Sequence, residues 1–395
     1  MHAVLLSLEY PPFICGGVGT FVKNLAIGLR REGVRVTVIS GYPVPSNVKL
    51  EEINEEKDAE LNVIRFPYFD VRPKNAIFQL LNLKKICETI KDVDPDIVHG
   101  QGLSTFPALI KLKNLAPLIV TFHSSPKAEK TMGVYSLLRG GSFDDFRTNV
   151  IGYPAWSFIQ RQELSNSNMA VAVSKNLKSE LLEEMGETYR EKIHEIHNGV
   201  DIETLDREYK SVEDDVKEAN NTILFAGRLV WRKGALNLTK IAYLFQKEKL
   251  DFKLIVHGDG PLFKRLKRDM QDFGLTNIEL KGFTSRERMM RSMKRSKFVI
   301  IPSFYEACPM ILIESMCLGK IPVMFDLPYS VEFTENGKYG IMTKEPKDMI
   351  KQLRIAYTKL DLEDFGEKVK DFARRKYNIK NMLLQYLNLY KAMSD

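Results

Sequence analysis

Short apolar runs alternate with amphipathic stretches along most of this 395-residue chain. Residues Gly19–Glu32 carry apolar side chains at helical spacing between two such runs. Near-continuous apolar runs are typical of parallel strands buried on both faces. The alternation therefore predicts βαβ units and parallel sheets. In the first half the runs are Ala3–Leu8, Val34–Ser40, Asn62–Phe66, Ile97–His99, Leu118–His123 and Met169–Val173.

A second series of runs lies beyond residue 200. The turn at residues 197–201 and the charged segment Asp206–Asn221 separate the two series. We therefore predict an α/β fold with two Rossmann-like doubly wound domains, one at residues 1–200 and one from residue 201 to about residue 376, facing across a cleft at the carboxyl ends of their strands. The second-series runs are Thr222–Ala226, Lys253–His257, Ile278–Lys281, Phe298–Ile301 and Ile321–Phe325.

Charge and composition restrict the class of protein. Residues 1–198 carry equal numbers of basic and acidic side chains, so the net charge of +7 lies entirely in the second half. That half suits a phosphate-bearing ligand. Nucleic acid is disfavoured, because the basic residues in Lys264–Arg268 and Arg286–Lys297 have the spacing of solvated helix faces. The absence of a basic leader and the scattered cysteines favour the cytoplasm.

A glycine-rich turn follows the first predicted strand. Gly16 and Gly17 open the first predicted helix, where backbone N–H groups could approach a phosphate. A dinucleotide fingerprint would need a third glycine where Val22 stands, and an acidic residue at the end of the second strand. That strand ends Ile39-Ser40-Gly41, which argues against an NAD enzyme.

Two further segments carry candidate chemistry in the second domain. The loop Gly227–Gly234 follows a strand and offers Arg228 and Lys233 to a diphosphate group. The segment Pro302–Pro309 places Glu306 before a helix whose first residue is predicted to be Pro309. Glu314 then falls in the second turn of that helix, and two carboxylates at this position could bind sugar or ribose hydroxyls.

His123 ends a strand of the first domain and could hydrogen-bond a reacting hydroxyl, although a structural role is also open. Residues 124–162, rich in aromatic side chains, form an insertion after it. Such insertions often shape ligand specificity, so we expect these residues to take part in selecting a ligand. Packing of the aromatic side chains onto their own domain is the alternative. The turn at Gly258 and Gly260 could line a nucleotide site, or serve only as a turn.

No metal or cofactor is expected. The cluster Asp92–Asp96 resembles a DxD metal motif, but it precedes a strand at its amino end, so a helix-terminating turn is the better interpretation. His194 and His197 lack a third ligand nearby in sequence. They are expected to be surface or packing residues.

Taken in order, these segments resemble glycosyltransferase family 4, whose members have the GT-B fold. The resemblance spans nearly the whole chain, and it is the ordered set rather than any one motif that is specific. The matching segments are Glu9-Tyr10-Pro11-Pro12 with the following Gly-Gly-Val-Gly, Thr121-Phe122-His123, Val171–Lys175, Asn198–Asp201, the Gly227–Gly234 loop, Gly258–Pro261, Gly282-Phe283 and the pair Glu306 and Glu314.

The resemblance implies retaining, metal-independent transfer of a hexosyl group from a nucleoside diphosphate sugar. Arg228 and Lys233 would neutralise the diphosphate, Glu306 would position the sugar, and Glu314 would bind the ribose. His123 would face the donor sugar and the acceptor, and the first domain, with residues 124–162, would bind the acceptor. Residues 377–395 would form a helix that crosses back to the first domain. Further donor-binding residues would be Gly16, Gly17, Gly258, Gly260, Phe283, Ala307, Cys308 and Pro309.

Two departures leave the sugar open. Ala307 stands where the family often has glycine, and Leu327–Ser330 stands where many members have a Gly-Gly turn. The nucleobase and the acceptor, whether glycan, small sugar or lipid-linked sugar, are also open. A lipid-linked acceptor would bring the enzyme into peripheral contact with the inner membrane face. The alternative functions are a sugar-nucleotide epimerase of the same fold and a non-catalytic nucleotide-sugar sensor.

Overall fold

A computed structural model describes residues 1–13, 16–44, 54–58, 61–70, 74–102, 105–141, 143–212 and 219–394. Cys15 and part of the charged segment Asp206–Asn221 lie outside these ranges. The chain forms two compact units. The first unit contains residues 1–129, 151–199 and 379–395, and the second contains residues 130–150 and 200–378.

The first unit is built on an eight-stranded sheet of order β3-β4-β2-β1-β5-β6-β7-β8. All its neighbouring strands are parallel except β3 and β4. The strands are β1 (His2–Leu6), β2 (Arg35–Val44), β3 (Asn54–Asp58), β4 (Leu61–Phe69), β5 (Ile97–Gln101), β6 (Leu118–Phe122), β7 (Met169–Ala172) and β8 (Ile193–Glu195). The helices are α1 (Gly17–Arg31), α2 (Lys74–Val93), α3 (Leu109–Leu112), α4 (Pro126–Leu138), which continues into the second unit, α6 (Tyr153–Asn166), α7 (Lys175–Met185) and α16 (Ile379–Ser394).

The second unit has a six-stranded parallel sheet of order β11-β10-β9-β12-β13-β14. Numbered within the unit, this is the 3-2-1-4-5-6 order of a Rossmann fold, which reverses direction between β9 and β12. The strands are β9 (Ala219–Ala226), β10 (Lys253–His257), β11 (Ile278–Gly282), β12 (Ser296–Ile301), β13 (Ile321–Phe325) and β14 (Ile341–Thr343). The helices are α5 (Phe143–Phe146), α8 (Ile202–Lys210), α9 (Ala235–Lys247), α10 (Phe263–Asp272), α11 (Arg286–Arg295), α12 (Met310–Cys317), α13 (Pro328–Thr334), α14 (Pro346–Lys359) and α15 (Leu362–Lys376).

Alternation along the buried strands divides the core of the second unit into two layers. Ile223 and Phe225 of β9 belong to the layer that α9 and α14 cover, while Leu224 belongs to the layer of α11, α12 and α15. Both faces of the sheet are therefore covered, as the apolar runs predict. The predicted α/β class with two doubly wound domains is confirmed, and none of the described helices is long and apolar enough to cross a membrane.

A buried polar network fixes α16 on the first unit. His99 on β5 is fully buried, and its two ring nitrogens hydrogen-bond the hydroxyls of Tyr390 (2.6 Å) and Thr121 (2.7 Å). The Thr121 hydroxyl also bonds the hydroxyl of Tyr386 at 3.1 Å. Burial lowers the pKa of His99 to about 3, so the ring is neutral at pH 7.

The insertion predicted at residues 124–162 is divided between the two units. Residues 130–150 belong to the second unit rather than to the first domain, which corrects the sequence-based expectation. Tyr135 stacks on Trp231 with ring centroids 6.3 Å apart, and Arg265 donates a hydrogen bond to the carbonyl of Gly140 at 2.7 Å. The segment thus packs against the loop that follows β9.

The stability of the protein should fall as the pH drops from about 7 to about 5.5. In that range the unfolded chain takes up protons on histidines that the folded chain keeps neutral, and a histidine whose folded-state pKa is about 4 or lower costs about 1 kcal/mol. His99 and His123 have their pKa values lowered to about 3 and about 4, and the pKa values of His2, His194 and His257 are shifted in the same direction. Urea unfolding at the two pH values measures the effect.

The matched variant is His123→Gln, which keeps a hydrogen-bonding side chain but cannot titrate. Its free energy of unfolding should depend less on pH than that of the wild type, by about 1 kcal/mol over the same range. An unfolding free energy that is constant or rises on acidification would contradict the assignment of neutral buried histidines.

Candidate active site

The loop after β9 is tied to the loop after β10 by backbone hydrogen bonds. The N–H of Gly227 donates to the His257 carbonyl (3.0 Å), and the N–H of Leu229 donates to the Asp259 carbonyl (2.9 Å). Gly258 has φ 139°, and a Cβ there would lie 1.9 Å from the Gly227 carbonyl oxygen. The turn at residues 258–260 therefore needs glycine to approach the basic loop so closely.

The same basic loop is also tied to the loop after β12. Residues Trp231–Lys233 form a short 3₁₀ turn that ends at Gly234, where φ is +69°. A Cβ on Gly234 would lie 1.8 Å from the Pro302 carbonyl oxygen. Trp231 stacks face to face on Phe304 at 4.4 Å. The two loops thus meet at the point where the strand order reverses, which is where ligands bind in open α/β sheets.

Lys233 and Glu306, predicted to contact different parts of a donor, contact each other. The Lys233 Nζ donates to both carboxylate oxygens of Glu306 at 2.6 Å. Ser303 Oγ donates to Glu306 Oε1 at 2.7 Å, and Glu306 is only 5% exposed. An ammonium group has three donors, so Lys233 keeps one for a ligand. The paired charges make a nearly buried carboxylate tolerable.

Tyr329 on α13 was not predicted to support the site. Its buried hydroxyl donates to the carbonyls of Ile301 (3.2 Å) and Ser303 (3.0 Å), which flank the turn before Glu306. Burial raises the pKa of Tyr329, so the hydroxyl keeps its proton. This tyrosine lies in the Leu327–Ser330 segment that departs from the Gly-Gly turn of many family members. Its hydrogen bonds hold the backbone that leads to Glu306.

Helix α12 begins at Met310, one residue later than predicted, so Pro309 is its N-cap. Ala307 is buried and Cys308 is partly buried in the segment that leads from Glu306 into this helix. The N-terminal end of the helix therefore lies directly after the Glu306 loop. Helix N-termini favour anionic groups, and this one stands beside the Lys233 cation.

Glu314, in the second turn of α12, has an unexpected partner. It is 8% exposed, and its Oε2 accepts a hydrogen bond from Nη1 of Arg286 at 2.5 Å. Burial raises the pKa of Glu314, while Arg286 acts against that shift. Arg286 is exposed, as expected of the basic helix face at residues 286–297, but its ion pair with Glu314 was not predicted, because spacing along a helix does not show which side chain contacts a neighbouring element.

Two predicted donor-binding side chains are free to meet a ligand. Phe283 follows β11 and is 89% exposed, so a large apolar ring stands in solvent. Gly282, just before it, has a φ of +68°, which turns the chain at this point. Arg228 is exposed, and no described residue accepts a hydrogen bond from its guanidinium. Gly260 belongs to the turn at residues 258–260, which lies between Arg228 and Phe283 in the sequence.

The predicted site residues of the first unit lie at the start of α1 and at the end of β6. Gly16 caps α1, its N–H donates to Glu9 Oε2 at 3.1 Å, and Gly17 is the first helical residue. His123 Nε2 hydrogen-bonds Gln101 Oε1 at 2.8 Å, and the ring meets Phe21 edge-on at 5.0 Å. Burial lowers the pKa of His123 to about 4. At pH 7 the imidazole is therefore a neutral hydrogen-bonding group rather than a cation.

The Asp92–Asp96 cluster is the turn that its position predicts. Helix α2 ends at Val93, Asp94 has φ +46°, and Asp96 Oδ2 accepts a hydrogen bond from the backbone N–H of His2 at 2.6 Å. Its aspartates lie between a helix and the amino end of β5, and Asp96 binds the start of β1.

Replacing Gly234 by alanine should separate the loops that follow β9 and β12. Its Cβ would overlap the Pro302 carbonyl, in addition to the cost of about 1 kcal/mol for a left-handed alanine. Gly274→Ala is the matched control, because Gly274 has φ +57° but nothing within 4 Å of a Cβ. We expect Gly234→Ala to lower the free energy of unfolding by at least about 2 kcal/mol more than the control.

Chemical denaturation of both variants measures this difference. Equal losses would contradict the close contact between the two loops, since the backbone conformation alone would then account for both.

Two sequence families match the chain in succession. The model described as Glycosyltransferase Family 4 matches residues 15–204, and the model described as Glycosyl transferases group 1 matches residues 206–376. An uncharacterised glycosyltransferase of Methanocaldococcus jannaschii is 26% identical over 418 residues, which cover 100% of this chain and 99% of that protein. A glycogen synthase of Mycobacterium tuberculosis is 21% identical, with 88% and 83% covered.

Solved structures share the fold. Sucrose-phosphate synthase from Thermosynechococcus elongatus superposes with a TM-score of 0.75 at 18% identity, covering 99% of this chain and 98% of that one. HepE from Anabaena, solved with UDP and glucose, superposes with a TM-score of 0.70 at 16% identity, covering 99% and 100%. With two Rossmann-like units and both family models matched in order, the chain belongs to the glycosyltransferases of the family 4-like, GT-B type.

Proposed function

We propose that this glycosyltransferase moves a hexosyl group from a nucleoside diphosphate sugar to a hydroxyl acceptor with retention at the anomeric carbon. The observation that supports this most is the pairing of Lys233 with Glu306 beside the N-terminal end of α12, at the strand-order reversal of the second unit. A cation, a carboxylate and a helix N-terminus there are the groups that a sugar diphosphate requires. The structures of HepE with UDP and glucose support the same class of donor.

The donor groups can be assigned to the described side chains. Arg228 and the third donor of Lys233 bind the diphosphate, with the backbone at Ala307, Cys308 and Pro309 leading into α12. Glu306, held by Lys233 and Ser303, accepts hydrogen bonds from sugar hydroxyls. Glu314 accepts a hydrogen bond from a ribose hydroxyl, and the exposed ring of Phe283 can stack on the nucleobase. Gly258 and Gly260 keep the neighbouring turn narrow.

In the reaction the acceptor oxygen forms a bond to the anomeric carbon of the sugar. The bond from that carbon to the β-phosphate oxygen breaks, its electron pair leaves with the nucleoside diphosphate, and the acceptor proton is transferred to a phosphate oxygen. Arg228 and Lys233 stabilise the charge that develops on the leaving group. His123, which is neutral at pH 7, is proposed to hydrogen-bond a hydroxyl of the sugar or the acceptor.

The acceptor is proposed to bind mainly to the first unit, near Gly16, Gly17 and His123. The segment 130–150 is proposed to serve the donor site, because Tyr135 packs on Trp231 in the loop assigned to the donor. Shortening that segment should therefore lower the affinity for the donor. A lipid-linked acceptor would place the enzyme at a membrane surface and, with the enzyme in the cytoplasm, at its inner face.

A panel of UDP, GDP and ADP sugars tests the proposal. At least one should raise the melting temperature and support transfer to a sugar acceptor, with the anomeric configuration of the product, read by proton NMR, matching that of the donor. Arg228→Ala should lower kcat by about a hundredfold or more, because one donor to the developing charge is lost. Arg268→Ala is the matched control, since it removes an exposed cation from α10 of the same unit.

The control variant should transfer at the wild-type rate. A rate for Arg228→Ala within threefold of the wild type would overturn the diphosphate assignment, and a product of inverted configuration would overturn retention.

Transfer should not need a divalent cation. Arg228, Lys233 and the end of α12 supply the positive charge that a metal ion provides in other phosphate sites. The rate in excess EDTA should equal the rate in magnesium. A complete loss in EDTA that magnesium restores would show that a metal ion holds the diphosphate instead.

A further inference from the structure

A single arginine joins two carboxylates that come from different helices of the second unit. Arg286, the first residue of α11, donates from Nη1 to Glu314 Oε2 at 2.5 Å and from Nε to Glu208 Oε2 at 2.9 Å. Glu208 lies on α8 and Glu314 on α12. The guanidinium is planar and its donors have fixed directions, so the two carboxylates together determine where it stands.

Exposure differs sharply across this cluster. The side chain of Glu314 is 11% exposed, whereas those of Arg286 and Glu208 are 43% and 36% exposed. Ion pairs of exposed side chains add little to stability. The main consequence of the arginine is therefore at its buried end, where it offsets the cost of placing the Glu314 carboxylate in the protein.

Among the described residues, only one oxygen of the Glu314 carboxylate accepts a hydrogen bond. Oε2 binds Arg286, while Oε1 accepts no hydrogen bond from any residue in the described part of the chain. An ionised carboxylate oxygen in this setting is a strong acceptor for a hydroxyl group. Holding Oε2 fixes the plane of the carboxylate and with it the direction in which Oε1 points.

We propose that Arg286 is a positioning residue that holds Glu314 for the ribose hydroxyls of the donor, and that Glu208 holds Arg286 in turn. The proposal rests on the proposed function, because it requires Glu314 to meet the ribose of a nucleoside diphosphate. Arg286 itself does not contact the ligand. Its loss should therefore be felt only where ribose hydroxyls are present.

The test compares each ligand with a version that lacks those hydroxyls. Binding of UDP, GDP and ADP and of their 2′,3′-dideoxy analogues is measured by calorimetry for the wild type and for Arg286→Gln. We expect the variant to lose about tenfold in affinity for the ribonucleotide that the wild type binds best, the size of a charge-assisted hydrogen bond. Affinity for the matching dideoxy analogue should stay within about twofold.

Three further variants separate positioning from other roles. Arg286→Lys keeps the positive charge without the two fixed guanidinium donors, so it should recover part of the lost ribonucleotide affinity. If Arg286→Gln does not fold, the same comparison of ribonucleotide and dideoxy analogue is made with Arg286→Lys. In a Glu314→Gln background the Arg286→Gln change should have no further effect on ribonucleotide binding. Arg291→Gln is the matched control on the same helix, where the guanidinium pairs with exposed Glu287, and it should leave both affinities unchanged.

The outcomes distinguish this inference from the proposed function. Equal losses for the ribonucleotide and the dideoxy analogue would overturn positioning, because Arg286 would then contact the phosphate or serve the fold as a whole. Unchanged affinity in Arg286→Gln would overturn it as well. A wild-type protein that binds none of the three diphosphates would instead refute the proposed function, and the inference with it.

Discussion

The contact between Lys233 and Glu306 determines how the rest of the candidate site is arranged. It joins the loop after β9 to the loop after β12, and these strands flank the reversal of strand order in the second unit. Both side chains stand close to the N-terminal end of α12. Because a nearly buried carboxylate must be paired, Lys233 cannot be removed without exposing Glu306 to a large desolvation cost. The ion pair thus belongs to the fold as much as to the site.

Backbone packing keeps the two charged side chains in place. Gly234 lets the basic loop meet Pro302, and the stack of Tyr135, Trp231 and Phe304 covers the same junction. Tyr329 supports the opposite side through the carbonyls of Ile301 and Ser303. A functional group fixed from several directions loses little entropy when a ligand binds, which is how such sites gain their strength.

Much of the fold could be predicted from the sequence, because buried parallel strands consist of nearly continuous runs of apolar residues. The runs at residues 222–226, 253–257 and 321–325 all became strands. The edge strands β3, β8 and β14 were missed, since β3 is polar and the other two have three residues each. A polar or very short strand has too few apolar residues in a row to be recognised from its own sequence.

The site was predictable as a set of motifs and less so as a set of contacts. Lys233 and Glu306 lie 73 positions apart, and their pairing depends on the order of strands rather than on spacing. The partner of Glu314 was missed for the same reason, because a basic helix face gives no sign that one arginine turns to a neighbouring helix. The assignment of residues 130–150 to the first domain failed because the chain leaves that unit and returns to it.

A crystal structure of the protein with a nucleoside diphosphate would test the central claim most directly. The diphosphate should lie against the guanidinium of Arg228 and the Nζ of Lys233, in front of the N-terminal end of α12, with Lys233 still bound to Glu306. Density for the diphosphate elsewhere, with Lys233 and Glu306 paired and neither contacting the ligand, would contradict it.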